Sequence, residues 1–135
     1  MNEALIDWRA LFTTAKGRTS RAHAWIGIGI LFALAVVYEA IAIGPLLLAT
    51  AWLIYPMLLA SATCILAKRL HDRGRSGWWA ALVLLAFVMI WPTSHGASAL
   101  LAAPVLFWAV IELGVMAGEP GANRFGLSPL APVPL

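Results

Sequence analysis

Charged residues are scarce in this chain. Its 135 residues include nine Lys or Arg and six Asp or Glu, which makes 11% charged, whereas 62% are hydrophobic. Soluble domains carry about 25% charged residues, and a chain of this size buries only about two-thirds of the surface that it exposes when unfolded. The composition therefore excludes a soluble globular enzyme, and its hydrophobicity excludes a disordered chain.

Cysteine is nearly absent as well, with Cys64 alone inside an apolar run. A single cysteine excludes a disulfide framework and a cysteine-based metal pair. Residues 1–23 lack the long apolar core of a signal peptide, so we expect the first membrane helix to be retained. We expect neither a cofactor nor a bound metal, because His23, His71 and His95 do not converge on one side of the predicted membrane.

Long apolar runs are what the chain has in abundance. A helix needs about 20 apolar residues to cross roughly 30 Å of hydrocarbon. The runs predict an all-α fold, a four-span transmembrane helical bundle with spans at about 24–43, 46–67, 77–93 and 97–116. We expect one domain over residues 1–126 and a flexible, proline-rich tail over residues 127–135.

The basic residues give these four spans an orientation. They precede the first span, lie between the second and third, and follow the fourth, whereas the other two connections contain neither Lys nor Arg. By the positive-inside rule, the central loop and both termini face the cytoplasm. A three-span alternative would place one basic cluster on the outer side.

A short amphipathic segment precedes the first span. Leu5, Trp8, Leu11 and Phe12 recur at helical spacing, while Asp7 belongs to the polar face. The pattern predicts a short N-terminal interfacial helix that lies on the membrane surface. A helix docked onto the bundle would show the same pattern.

Nine of the 15 charged residues lie in three predicted cytoplasmic segments, at residues 17–21, 68–79 and 118–126. We predict that the three segments form a polar cap on the bundle. On a helix, Asp72 lies four residues after Lys68 and three after Arg69, so either residue could pair with it. The candidate site residues are Arg18, Arg21, Arg69, His71, Asp72, Arg73, Arg75, Asn123 and Arg124.

Three blocks of this sequence carry a family resemblance. They are Gly17-Arg18-Thr19-Ser20-Arg21-Ala22-His23-Ala24-Trp25, Arg69-Leu70-His71-Asp72 with Ser76-Gly77-Trp78-Trp79, and Gly121-Ala122-Asn123-Arg124-Phe125-Gly126. In their order and spacing, the blocks resemble the DUF805 family over residues 17–126. The resemblance implies a small protein of the bacterial inner membrane. Because the family's function is unknown, it supplies no substrate and no catalytic residue.

The clustered arginines have two interpretations. One is topology together with nonspecific attraction to anionic lipid, worth about 1 kcal/mol per basic residue near the surface. The other is a shaped pocket for a phosphate-bearing headgroup, since Arg offers planar, bidentate donors. Seven of the nine basic residues are Arg, which favours the second interpretation. We therefore predict that the cap binds anionic lipid headgroups or a partner protein.

His71 and Asp72 also have two interpretations. They form either a structural junction or the acid–base pair of an enzyme acting on a lipid headgroup. Adjacent residues on a helix do not face each other, so the dipeptide does not imply a catalytic dyad. We therefore expect no catalytic residue.

Two carboxylates, Glu112 and Glu39, fall inside predicted spans. An intramembrane carboxylate is a functional candidate by default. Glu112 either pairs with the central loop or couples ion movement in a small oligomeric transporter or channel subunit, the alternative function. The spacing of Gly114 and Gly118 favours a homo-oligomer weakly. Nucleic-acid binding is not expected, because the basic residues lie at the membrane surface.

Overall fold

A computed structural model describes residues 7–91 and 96–129, and its regular secondary structure within those ranges is helical. This confirms the all-α fold class. The helices are α1 (Trp8–Thr13), α2 (Arg21–Ile41), α3 (Pro45–Asp72), α4 (Trp79–Val88) and α5 (Ala97–Ala109), which continues as a π-helical segment, Val110–Val115.

Three of these helices are long and apolar enough to cross a membrane. They are α2 with 21 residues, α3 with 28, and α5 with its π-helical continuation, together 19. Helix α4 has 10 residues, which is about 15 Å of helix. Among the described residues of the third predicted span, 77–91, the α-helix extends over Trp79–Val88, and the chain leaves it in a turn at Met89 and Ile90.

Two glycines lie at turns of the chain, one before α3 and one after it. Gly44, with a φ of +57°, turns the chain between α2 and α3, and Pro45 occupies the first position of α3. Proline suits that position because its missing N–H would have no partner there. Gly74, with a φ of +67°, follows the end of α3. Residues 92–95, which connect the α4 region to α5, lie outside the described residues.

The buried core consists of two small clusters, and the outer surface is apolar. One buried cluster joins α3, α4 and the end of α5, and a second joins α1, α2 and α3. Many large apolar side chains face outwards instead, including Leu48 (81% exposed), Leu100 (78%) and Phe107 (70%). Exposed apolar surface on this scale requires a covering partner. A lipid environment supplies that cover, as the sequence predicts.

The N-terminal helix α1 is docked onto the bundle. Leu11 is buried, and it meets Ile65 across Gly27, where an added Cβ would lie 2.9 Å from the Ile65 Cδ1 atom. The Lys68 ammonium donates a hydrogen bond to the Ala10 carbonyl. This arrangement corresponds to the docked alternative for the amphipathic pattern. Leu5 lies outside the described residues.

Candidate functional site: a polar cap on the helical bundle

An ion-paired triad lies at the centre of one end of the bundle. Arg69, 1% exposed, and Asp72, 3% exposed, form a salt bridge within the last turn of α3. The other carboxylate oxygen of Asp72 accepts a hydrogen bond from Arg18 Nε at 3.0 Å, and the Arg18 Nη2 atom forms an ion pair with the same oxygen at 2.9 Å. Burying a charge is costly unless it is paired and hydrogen-bonded. The triad meets that requirement with one anion between two cations.

The two arginines also hold the chain that follows α5. Arg69 donates to the carbonyls of Leu113 and Met116. Arg18 donates to the carbonyls of Glu119 at 2.6 Å and Gly121 at 2.7 Å. A helix end leaves carbonyls without backbone partners, and the guanidinium groups supply the missing donors. The triad therefore ties α3, the loop before α2 and the C-terminal segment together.

Two glycines allow this close approach. A Cβ on Gly118 would collide with the Asp72 carboxylate, and a Cβ on Gly114 would lie 2.6 Å from the Trp25 ring. The Trp25 Nε1 atom donates to the Gly114 carbonyl at 3.0 Å. The glycine pair that favoured self-association therefore makes contacts within the chain. Homo-oligomer formation stays a prediction.

Glu112 belongs to the same end of the bundle. Its side chain is 9% exposed and accepts from Arg73 Nη2 at 3.2 Å and Arg75 Nε at 2.9 Å. Arg75 also lies 5.7 Å from the centre of the Trp108 ring. The pairing with the central loop is thus the arrangement observed for Glu112. The π-helical segment contributes by placing Glu112 and Leu113 in buried positions.

The C-terminal segment folds back onto the end of α3. The His71 ring stacks on Phe125 with centroids 3.9 Å apart, and its Nδ1 atom lies 3.1 Å from the Gly17 carbonyl oxygen. Asn123 donates to the His71 carbonyl at 2.9 Å, and Arg124 donates to that of Gly74 at 3.1 Å. His71 and Asp72 therefore contact different partners. They form a junction between segments, with no mutual hydrogen bond among the described residues.

We call this arrangement the polar cap. It brings together all nine residues predicted for the site and adds residues that the sequence reasoning did not single out. Phe125 is the clearest of the additions. Its position between Arg124 and Gly126 in the third sequence block is the one sequence feature that could have indicated it. The cap comprises Arg18, Arg21, Arg69, His71, Asp72, Arg73, Arg75, Asn123 and Arg124, together with Glu112, Glu119 and Phe125.

Arg21 differs from Arg18 and Arg69, the arginines of the triad. It is exposed at the first position of α2 and makes one hydrogen bond to the described residues, from Nη1 to the Val115 carbonyl at 2.7 Å. The N–H groups of its Nε and Nη2 atoms donate to none of the described residues, so they are available to a ligand. Arg18 and Arg69, by contrast, are saturated by a carboxylate and carbonyls. Of the two arginines that line the cavity beside the cap, Arg21 and Arg69, Arg21 is thus the one with donors available to an external anion.

Two cavities meet inside the cap. A polar cavity of about 520 Å³ is lined by Ser20, Arg21 and Asp72 on one side and by residues 117–121 on the other. An apolar crevice of about 310 Å³ extends from it between the helices, past Trp25, Leu66 and Leu113. Arg69 lines both cavities. Arg21 lines the first cavity alone, and the walls of the crevice are apolar apart from Arg69.

The second intramembrane carboxylate lies apart from the cap. Glu39, near the end of α2, accepts from the Tyr55 hydroxyl at 2.7 Å and from Trp91 Nε1 at 3.2 Å. Both donors are neutral. Glu39 therefore joins α2, α3 and the end of the α4 region at the opposite end of the bundle. Within residues 7–91 and 96–129, no group of three potential metal ligands occurs, and His95 lies outside those ranges.

The helices and the cap define a class of protein, namely a helical membrane protein whose bundle is closed at one end by arginine–carboxylate pairs. The comparison with known families agrees. The chain belongs to the DUF805 family, described as a protein of unknown function, whose family model matches residues 12–127. The family resemblance seen in the sequence is thus confirmed.

Two relatives from Escherichia coli strain K12 are similar to the chain. The uncharacterized protein YiiR is 35% identical over 120 residues, covering 82% of each chain. The inner membrane protein YhaH is 36% identical over 62 residues, covering 46% of this chain and 37% of YhaH. No solved structure matches. Together with the apolar helices, these relatives support a bacterial inner-membrane protein.

Proposed function

We propose that the protein crosses the bacterial inner membrane four times and binds the headgroup of an anionic lipid at its polar cap. In this arrangement both termini and the cap face the cytoplasm, as the positive-inside rule requires. Helix α4 then crosses together with its flanking turns. Trp78 and Trp79 at its start and Trp91 after its end suit the two interfaces, where tryptophan is enriched.

Charge supports an anionic ligand. Six arginines and three carboxylates make up the charged groups of the cap, so a net positive charge remains after internal pairing. Anionic lipids give the cytoplasmic leaflet a negative surface potential that attracts such a region. A phosphate would suit Arg21, whose Nε and Nη2 donors form one edge of its guanidinium fork.

The observation that carries the proposal is the junction at Arg69. Its side chain lines the polar cavity and the apolar crevice alike. A ligand that fills both must have an anionic end and an apolar end, and a membrane lipid has both. A soluble anion would leave the apolar crevice unfilled, and a partner protein would have to insert an apolar side chain between the helices.

Arg21 is a better residue for a binding test than Arg69 or Arg73. Arg69 and Arg73 are bound to carboxylates and carbonyls within the cap, so replacing them would disturb the fold. Arg21→Gln removes a cation from the polar cavity and leaves the triad intact. Arg9→Gln is the matched control, because Arg9 is exposed on α1 and lies outside the cap.

The experiment is native mass spectrometry of protein released from nanodiscs that contain phosphatidylglycerol and phosphatidylethanolamine. The proposal predicts that the wild type retains phosphatidylglycerol, that Arg9→Gln retains it equally, and that Arg21→Gln loses it. If the two variants retained phosphatidylglycerol equally, the lipid would be held by general surface charge, which would contradict a specific site at Arg21. Retention of a folded protein partner instead of lipid would favour the partner-binding alternative.

One observation favours the second candidate, an oligomeric transporter or channel subunit. Glu39 has neutral hydrogen-bond donors, so its charge is uncompensated by those partners, and such a carboxylate suits ion coupling. Glu112 is less suited, because two arginines neutralise it. Flux in proteoliposomes that depends on Glu39 and is abolished by Glu39→Gln would support this candidate. Absence of such dependence would count against it.

A further inference from the structure

A second apolar cavity, of about 190 Å³, extends towards the end of the bundle that lies opposite the cap. Its lining includes four aromatic side chains, Phe32, Tyr55, Phe87 and Trp91, and is otherwise aliphatic. The Trp91 ring makes an edge contact with Phe32 at 5.6 Å and stacks on Phe87 at 6.3 Å. Phe32 is 48% exposed, so this wall of the cavity reaches the outer surface. We call the cavity the aromatic recess, and a ligand can enter it sideways from the surrounding lipid.

The polar groups in the wall of the aromatic recess are bound to Glu39. Among the lining residues, Tyr55 and Trp91 alone have polar side-chain atoms. The Tyr55 hydroxyl donates to Glu39 Oε1 at 2.7 Å, and Trp91 Nε1 donates to the same oxygen at 3.2 Å. Two donors on one oxygen suit an ionised carboxylate, which only accepts. The recess therefore presents ring faces and aliphatic groups to a ligand, with a carboxylate behind two of the rings.

The charge of Glu39 has no counter-charge within the described part of the chain. Residues 22–67 and 76–123, which form most of the long helices, contain neither Lys nor Arg. Glu39 also lies in the last turn of α2, which ends at Ile41, where the helix carbonyls add a partial negative charge. A carboxylate inside a membrane protein is costly unless its charge is compensated. A bound cation would supply that compensation.

The surface of the recess determines which kind of cation fits. The faces of aromatic rings carry negative potential and attract a cation within about 6 Å of the ring centre. Hydrogen bonds to a carboxylate polarise the donor groups, which strengthens this potential on Tyr55 and Trp91. A primary ammonium ion would lose hydrogen bonds to water against such a surface. A quaternary ammonium ion has no N–H groups and loses none.

We infer that the aromatic recess binds a hydrophobic quaternary ammonium ion, seated on the rings of Tyr55 and Trp91 with Glu39 behind them as its counter-charge. The site is separate from the polar cap, and its occupancy requires neither a bound headgroup nor ion flux. The inference therefore does not depend on either of the proposed functions. The rings and Glu39 select for positive charge, and the apolar wall selects against a cation with hydrogen-bond donors.

Two ligands of equal charge test this selectivity. Purified protein in an uncharged detergent is titrated calorimetrically with benzyltrimethylammonium and with benzylammonium, at pH 8, where an ordinary histidine is uncharged. The inference predicts that the quaternary ion binds at least about tenfold more tightly than the primary amine. Equal or tighter binding of benzylammonium would indicate a direct contact with a carboxylate and would overturn the inference. Binding of neither ligand would overturn it as well.

The counter-charge is tested by a variant that keeps the hydrogen bonds. Glu39→Gln retains an oxygen that accepts from Tyr55 and Trp91 but removes the charge, so benzyltrimethylammonium should bind about tenfold more weakly. Asp7→Asn removes the same charge from the exposed N-cap of α1 and should bind as the wild type does. Arg21→Gln should also bind normally, so the headgroup proposal and this inference fail separately. Unchanged affinity in Glu39→Gln would overturn the inference.

A matched pair of phenylalanines tests the rings. Phe87 lines the recess, whereas Phe107 is 70% exposed on the outer surface. Phe87→Leu keeps an apolar side chain but removes a ring face, so affinity should fall about threefold, and Phe107→Leu should leave it unchanged. Equal affinities of the two variants would show that the ligand binds outside the recess.

A measurement on the wild type keeps the inference testable even if Phe87→Leu does not fold. Nuclear Overhauser contacts should join the N-methyl protons of benzyltrimethylammonium to the ring protons of Tyr55 and Trp91. Contacts confined to outward-facing residues such as Leu48 and Leu100 would place the ligand in the detergent and overturn the inference.

Discussion

Arg69 and Asp72 lie one turn apart at the end of α3, and their buried salt bridge shares its carboxylate with Arg18 from the loop before α2. Through the same two arginines, the carbonyls of the C-terminal segment are also bound. The charged groups at the centre of the cap therefore hold the fold together, and ligand binding is left to groups with spare donors.

The first prediction concerns the anion of the triad. Asp72→Asn leaves two buried guanidinium groups without their charge partner, and removing one member of a buried pair costs about 3–5 kcal/mol. Thermal unfolding in detergent, followed by circular dichroism, should show a large decrease in midpoint. Asp7→Asn is the control, since Asp7 is an exposed N-cap of α1 whose conservative replacement should cost little. Equal unfolding midpoints for the two variants would contradict a stabilising role for the ion pairs of Asp72.

The second prediction concerns two glycines with different surroundings. Gly118→Ala places a Cβ against the Asp72 carboxylate, whereas Gly29 has open space around it. Overpacking of this kind costs about 1–3 kcal/mol, so Gly118→Ala should lower the unfolding midpoint. Gly29→Ala, in the middle of α2, should keep or raise it because alanine favours helix. The same effect of both substitutions would show that the cap does not pack as described.

The third prediction concerns the stacked pair His71 and Phe125. Phe125→Ala removes a ring contact worth about 0.5–1.5 kcal/mol and should loosen the segment that folds back onto α3. Hydrogen exchange should then accelerate at the Glu119 amide, which donates to the Asp72 carbonyl at 2.8 Å. The amide of Ala24, bonded to the Ser20 carbonyl within α2, is the internal control. Unchanged exchange at Glu119 would show that the stacked rings do not hold the segment onto α3.

The fourth prediction concerns the number of crossings. In a Cys64→Ala background, Ser76→Cys lies before α4 and Ala97→Cys at the start of α5. If α4 crosses the membrane with its flanking turns, an impermeant maleimide applied to intact cells should label Ala97→Cys and spare Ser76→Cys. Labelling of both, or of neither, would contradict four crossings. Gly121→Cys, in the C-terminal segment, should behave like Ser76→Cys.

Much of this arrangement could be predicted from local sequence signals. The apolar runs predicted the long helices to within a few residues at most ends. Helical spacing made Lys68 and Arg69 the two possible partners of Asp72, and Arg69 is the one that pairs with it. Gly74 marked the end of α3 because it adopts a left-handed conformation. These features depend on neighbours within one helical turn.

Contacts between distant segments could not be predicted in the same way. Nothing in the sequence around Arg18 indicates that it binds carbonyls more than 100 residues away. Pairing with the central loop was one of two expectations for Glu112, but the sequence did not indicate that Arg73 and Arg75 would be its partners. For α1, the amphipathic pattern suited membrane and bundle equally, and the burial of Leu11 against Ile65 could be seen only in three dimensions.

The proposed lipid site can be tested most directly by solid-state NMR of the protein in phosphatidylglycerol bilayers, with ¹⁵N-labelled arginine and dephasing by lipid ³¹P. Arg21 signals, assigned by their loss in Arg21→Gln, should be dephased by a nearby phosphate. Arg18, enclosed by Asp72 and carbonyls, should not be dephased. Equal dephasing of Arg21 and Arg18, or none at Arg21, would contradict a headgroup site in the cap.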